Sequence, residues 1–132
     1  MAAKAFAIVA GVGAGTGASI ARRFAQAYPV VLLARNPANY EPVVEEINAS
    51  GGQAVGIRAD LSDSQSVRAA FEQIAQRFPD VPLAAAIFNP GGGFVRKPFL
   101  ELTEEEFDSG YLSQGYVRFA ESLPFRLPLL FK

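Results

Sequence analysis

Residues 11 to 17 read Gly-Val-Gly-Ala-Gly-Thr-Gly, with glycine at every second position. Such a run can turn tightly and bring backbone N–H groups against a phosphate. Between a strand and a helix it forms a cradle for a dinucleotide pyrophosphate, because the helix N-terminus adds free N–H groups and the positive end of its dipole. Gly11, Gly13, Gly15, Thr16 and Gly17 are therefore candidate cofactor contacts. A Walker-type phosphate loop is excluded, since no Lys-Ser or Lys-Thr follows the glycines. Other chemistry is excluded by what the chain lacks. With no Cys and no His, it has no thiolate nucleophile, no imidazole general base and no soft-ligand metal site, so no metal residues are expected.

Composition bounds the rest. A chain of 132 residues that is 50% apolar makes one globular domain, expected here over residues 1–132. The formal charge of −1 supplies no field to attract nucleic acid or an anionic membrane. No apolar stretch reaches the roughly 18 residues that span a bilayer. The N-terminus is too short in its apolar run for a signal peptide. The expectation is a soluble, cytoplasmic protein without nucleic-acid or membrane partners.

The elements that must position the glycine loop follow from periodicity. Ala5 to Ala10 is an apolar run ending in glycines and predicts a strand. Ile20, Phe24 and Tyr28 predict a helix from Gly17 to Tyr28. Val30 to Ala34 is a second strand. Asn36-Pro37 predicts a helix start that Pro42 shifts, with Val43, Val44 and Ile47 as its apolar face and Gly51-Gly52 as its end. Ala54 to Ala59 is a third strand. Ser62 with Gln65 has capping-box spacing before a helix whose face is Val67, Ala70, Phe71, Ile74 and Phe78. Leu83 to Phe88 is apolar throughout, as a strand buried on both faces is. Thr103 with Glu106 is a second capping box, ahead of a buried stripe begun by Phe107 and Tyr111 and interrupted at Gly110 and Gly115. Alternating strands and helices predict an α/β fold with a parallel sheet.

The loop holds two overlapping patterns. Gly13-x-Gly15-x-x-Ala18 fits the general dinucleotide fingerprint. Gly11-x-x-x-Gly15-x-Gly17 resembles the form found in short-chain dehydrogenases/reductases and puts its first glycine at the strand end. Three further segments resemble that family in order. Ala59-Asp60-Leu61 is similar to its acidic adenine contact. Asn89-Pro90-Gly91 is similar to its Asn-Asn-Ala-Gly motif, with Phe88 and Pro90 as departures. Pro98 to Thr103 with Glu106-Phe107 is similar to the approach to its dimerising helix. The resemblance covers residues 4 to about 108 and leaves 109–132 as a divergent tail. It implies a Rossmann-like doubly wound sheet of about four strands in the order 3-2-1-4, and adds Asp60, Leu61, Asn89 and Gly91 to the cofactor-binding set.

The end of the second strand bears on which nicotinamide cofactor. A carboxylate there binds the ribose 2′-hydroxyl of NAD, whereas an Arg accommodates the 2′-phosphate of NADP. The sequence is Leu33-Ala34-Arg35-Asn36, with no acid and with a bidentate donor. NADP(H) is therefore expected over NAD(H). The same absence weakens a methyltransferase reading, which usually places an acid here.

The resemblance also implies a catalytic Tyr with Lys four residues on, a Ser, and an Asn on the preceding helix. Tyr28, Tyr40, Tyr111 and Tyr116 are followed at that spacing by Leu32, Val44, Gly115 and Ala120. No catalytic residue is assigned. The expectation is a truncated NADP(H)-dependent oxidoreductase, inactive alone. The alternative is a non-catalytic dinucleotide-binding or partner-binding fragment, as a homo-oligomer or paired with a full-length relative.

Overall fold

In the computed structural model, residues 3–91 and 95–112 are described. Four strands, β1 (Phe6–Ala10), β2 (Val30–Ala34), β3 (Ala54–Arg58) and β4 (Leu83–Phe88), form one sheet in the order β3-β2-β1-β4. All three pairings are parallel, with Ala7 opposite Val30, Val30 opposite Ala54, and Phe6 opposite Leu83. The register between β1 and β4 slips by one residue between Phe6 and Ala7.

Among the described residues, four α-helices accompany the strands: α1 (Thr16–Phe24), α2 (Glu41–Ala49), α3 (Ser64–Arg77) and α4 (Glu104–Leu112). The period-2 alternation of β1 divides the core. Phe6, Ile8 and Ala10 face α3 and pack with Val67, Ala70, Phe71 and Ile74. Ala7 and Val9 face the other way, where Ala18 and Ala21 of α1 and Val43 and Ile47 of α2 cover them. Every residue of β1 and β2 is buried, which explains their unbroken apolar sequence. Phe6 also stacks on Phe78, with ring centroids 4.6 Å apart.

Several element ends differ from expectation. Helix α1 stops at Phe24 rather than Tyr28. Pro29 disfavours helical backbone at Tyr28, so the last turn tightens, with Ala27 and Tyr28 both donating to the Phe24 carbonyl. Asn36 caps a short 3-10 turn, Pro37–Asn39, by accepting the Ala38 N–H at 3.1 Å, and α2 begins separately at Glu41. Ser62 does not cap α3. Asp63 does, accepting the Gln65 N–H at 3.0 Å, because α3 starts at Ser64 and puts Asp63 at the cap position, while the Ser62 hydroxyl donates to Asp60.

The Thr103–Glu106 capping box forms as read, with Thr103 N–H on Glu106 at 3.0 Å and Glu106 N–H on Thr103 Oγ1 at 3.1 Å. Gly110 does not break α4, which continues to Leu112. Phe107 does not begin a buried stripe: it is 56% exposed and meets only the edge of the Phe99 ring among the contacts described. The side chain of Tyr111, and the whole of residues 113–132, lie outside what is described.

Candidate functional site

The carboxyl ends of β1, β2, β3 and β4 open onto one cleft of about 800 Å³. All ten candidate cofactor contacts line it, although they come from four separate strand ends. Asn36, Asn39 and Ser62 line it as well. In sequence, Asn36 and Ser62 carry only the signal of helix caps, and Asn39 carries none. Open α/β sheets carry ligands at this position, where the strand order reverses direction.

The four glycines of the loop divide into two pairs. At Gly11 φ is +93°, and a Cβ there would lie 2.1 Å from the Asn89 carbonyl oxygen. At Gly17 a Cβ would lie 2.4 Å from the Gly11 carbonyl oxygen. These two are glycine because backbone approaches backbone. A Cβ on Gly13 or Gly15 would meet nothing within 4 Å, so the fold itself makes no steric demand for glycine there. Their bare faces open on the cleft instead.

The loop is held from two sides. Gly11 and Val12 both donate N–H to the Leu33 carbonyl, at 2.9 and 3.1 Å. Asn89 donates its backbone N–H to Ala10 at 2.7 Å and its side-chain Nδ2 to Gly11 at 3.2 Å. Asn89 thus ties the end of β4 to the end of β1. Helix α1 starts at Thr16 with Gly15 as its cap, so no side chain covers its first N–H groups, and its first turn carries no acid. That end offers unsatisfied donors and positive potential to an anion.

Asp60 stands at the exit of β3 in a tight local turn. Its Oδ1 accepts the Ser62 N–H at 2.9 Å and the Ser62 hydroxyl at 2.6 Å, while its own N–H donates to Ser66 Oγ at 2.9 Å. These bonds to Ser62, helped by the positive charge of Arg35, hold the Asp60 carboxyl below its ordinary range against a smaller opposing effect of burial. The side chain of Leu61 is 7% exposed and belongs to the α3 core, which leaves its backbone for the cleft. Arg35 is exposed at the end of β2, and Gly91 is exposed beyond β4. Among the described residues, no group of three or more His, Cys, Asp or Glu comes together to hold a metal, and no helix is long and apolar enough to cross a membrane.

A dinucleotide fits this donor set. The open faces of Gly13 and Gly15 and the uncapped end of α1 suit a pyrophosphate. Arg35 is a cation beside the next strand end, and Asp60 is an acceptor that stays ionised.

Comparison with known proteins agrees. Residues 5–112 match the family model for short chain dehydrogenase. An uncharacterised oxidoreductase of Methylorubrum extorquens is 34% identical over 103 residues, which are 76% of this chain and 40% of that protein. A hydroxynaphthalene reductase-like protein of Metarhizium majus is 34% identical over 104 residues, 77% of this chain and 38% of that protein. The chain therefore spans about two fifths of the length of these curated relatives. A metagenomic short-chain oxidoreductase solved in complex with NADP superposes with a TM-score of 0.77 at 27% identity, over 90% of this chain and 56% of that one. A Serratia marcescens short-chain dehydrogenase/reductase shares the fold, with a TM-score of 0.75 at 22% identity, over 89% of this chain and 50% of that one.

Proposed function

The chain belongs to the short chain dehydrogenase family, and from that premise we propose that its cleft binds NADP(H) in preference to NAD(H). The observation that carries the reading is the pairing of an open glycine face at Gly13 and Gly15 with Arg35, unopposed by any acid at the end of β2. The pyrophosphate lies on the N-terminus of α1, Arg35 takes the ribose 2′-phosphate, and Asp60 with the Leu61 backbone meets the adenine. Thr16 and Gly91 line the phosphate and nicotinamide ends. The metagenomic relative solved with NADP supports the same ligand.

When bound, the nicotinamide would exchange a hydride with the substrate carbon, giving it to a carbonyl or taking it from an alcohol. The residues of this chain bind and orient that cofactor. No Tyr here has Lys four residues on, so a general acid of that kind would come from residues other than these, in a continuing segment or a full-length relative. A non-catalytic dinucleotide-binding role is the second reading, favoured by the same missing pair. The absence of cysteine suits work in the reducing cytoplasm.

Fluorescence titration with NADPH and NADH tests the reading, with Arg35→Asp as control. NADPH should bind more tightly by a charge-assisted contact of about 1.5–3 kcal/mol, and Arg35→Asp should reverse the order. Equal or tighter binding of NADH by the unaltered protein overturns it.

A further inference from the structure

Beyond Ala34, the backbone ladder between β2 and β3 runs out. Ala34 opposes Arg58, and Ala59 N–H donates to the Ala34 carbonyl at 3.0 Å. The next carbonyl, that of Arg35, accepts a side chain instead: Arg58 Nε–H, at 3.1 Å. A guanidinium from the neighbouring strand thus holds the backbone carbonyl of the residue whose side chain enters the cleft. Arg58 itself is exposed, next to the partly buried strand interior. Tyr40 is buried, and Gly56 leaves room for its ring, since a Cβ there would lie 2.1 Å from it. Burial, and then the charge of Glu41, push the Tyr40 phenol above its ordinary range, against a smaller opposing effect of the Arg58 charge.

We infer that Arg58 is a positioning residue that sets cofactor preference by fixing the backbone of Arg35, and so the aim of the Arg35 guanidinium. Arg58 itself is absent from the cleft wall, so it acts through Arg35. This inference rests on the NADP(H) reading above and adds a second residue to it. A guanidinium is suited to the task because its planar fork can donate Nε–H in one direction while its stem packs in another.

The test is a double-mutant cycle on the whole chain with Arg58→Met and Arg35→Met, read as binding of NADPH and of NADH. Arg58→Met should weaken NADPH about fivefold to tenfold, leave NADH within about twofold, and add nothing in the Arg35→Met background. If Arg58→Met does not fold, Arg58→Gln takes its place with the same expectations. Equal weakening of both cofactors marks a merely structural role and overturns the inference, as does a full effect that persists without Arg35. If Arg35→Met leaves the ratio of the two affinities unchanged, the NADP(H) reading falls and this one with it. If Arg35→Met changes the ratio and Arg58→Met does not, only the role of Arg58 falls.

Discussion

Gly11 and Asn89 lie back to back at the head of the cleft, 78 residues apart in sequence and joined by the Asn89 Nδ2–H bond to the Gly11 carbonyl. The contact leaves no room for a Cβ on Gly11. It fixes where the glycine loop leaves β1, and with it the direction in which Gly13 and Gly15 face.

Two classes of glycine substitution should therefore behave oppositely. Gly11→Ala adds a clash and an unfavourable positive φ, and should lower stability by about 2–3 kcal/mol. Gly15→Val places its side chain in open space, and should leave the sheet folded while abolishing dinucleotide binding. Calorimetry and a cofactor titration on both variants check this. Normal binding by Gly15→Val would make the loop a turn and nothing more.

Asp60 makes a prediction in pH. Its carboxyl sits below the ordinary value of 3.8, first because of the Ser62 hydroxyl and then the Ser62 N–H. A depressed folded-state value means that ionised Asp60 stabilises the fold above its unfolded pKa. That contribution is lost as pH falls through the folded value, in a window below 3.8. Carbon-detected NMR titration of the Asp60 carboxyl should show a midpoint under 3.8 that rises in Ser62→Ala. A midpoint at or above 3.8 in the unaltered protein contradicts the hydrogen-bonded turn.

The outer edge of β4 makes a third. Among the described residues it is the end strand of the sheet, and its residues are at best half-buried, with Ala84 exposed. Unpaired strand edges recruit other chains. Sedimentation at several concentrations should show self-association, and Ala84→Lys should reduce it by placing a charge on that edge. A monomer at every concentration, with strongly protected amides from residues 83 to 88, would mean that the edge is already covered.

Much of this architecture is legible in the sequence because parallel strands buried on both faces have no polar positions to confuse their pattern. β1 and β2 read that way, whereas β4 has the same apolar pattern and is only half-buried, with Ala84 exposed, because it ends the described sheet. What escaped the sequence are local contests between side chains. Ser62 has the spacing of a cap, yet Asp60 captures it and Asp63 caps α3 instead. The division of the loop glycines depends on Asn89, which lies far away in sequence. The bond from Arg58 to the Arg35 carbonyl joins a side chain to a backbone oxygen across two strands, and leaves no periodic trace. Phe107 is apolar at a helical position and still exposed, since periodicity reports which residues share a face and not whether anything covers it.

The strand order also sets a timetable for synthesis. β1 is translated first yet lies between β2 and β4, and its pairing of Phe6 with Leu83 waits until most of the described chain has left the ribosome. A nascent chain therefore carries a wholly apolar strand with one side unpaired through the making of α1, α2 and α3. Long-range parallel pairing of this kind is slow and exposes sticky intermediates. Chains arrested before Leu83 should label readily at the β4-facing amides of Phe6, Ile8 and Ala10 in pulsed hydrogen exchange, and chains long enough to bring Phe88 out of the ribosome should not. The middle of the sheet is the first part made and the last part finished.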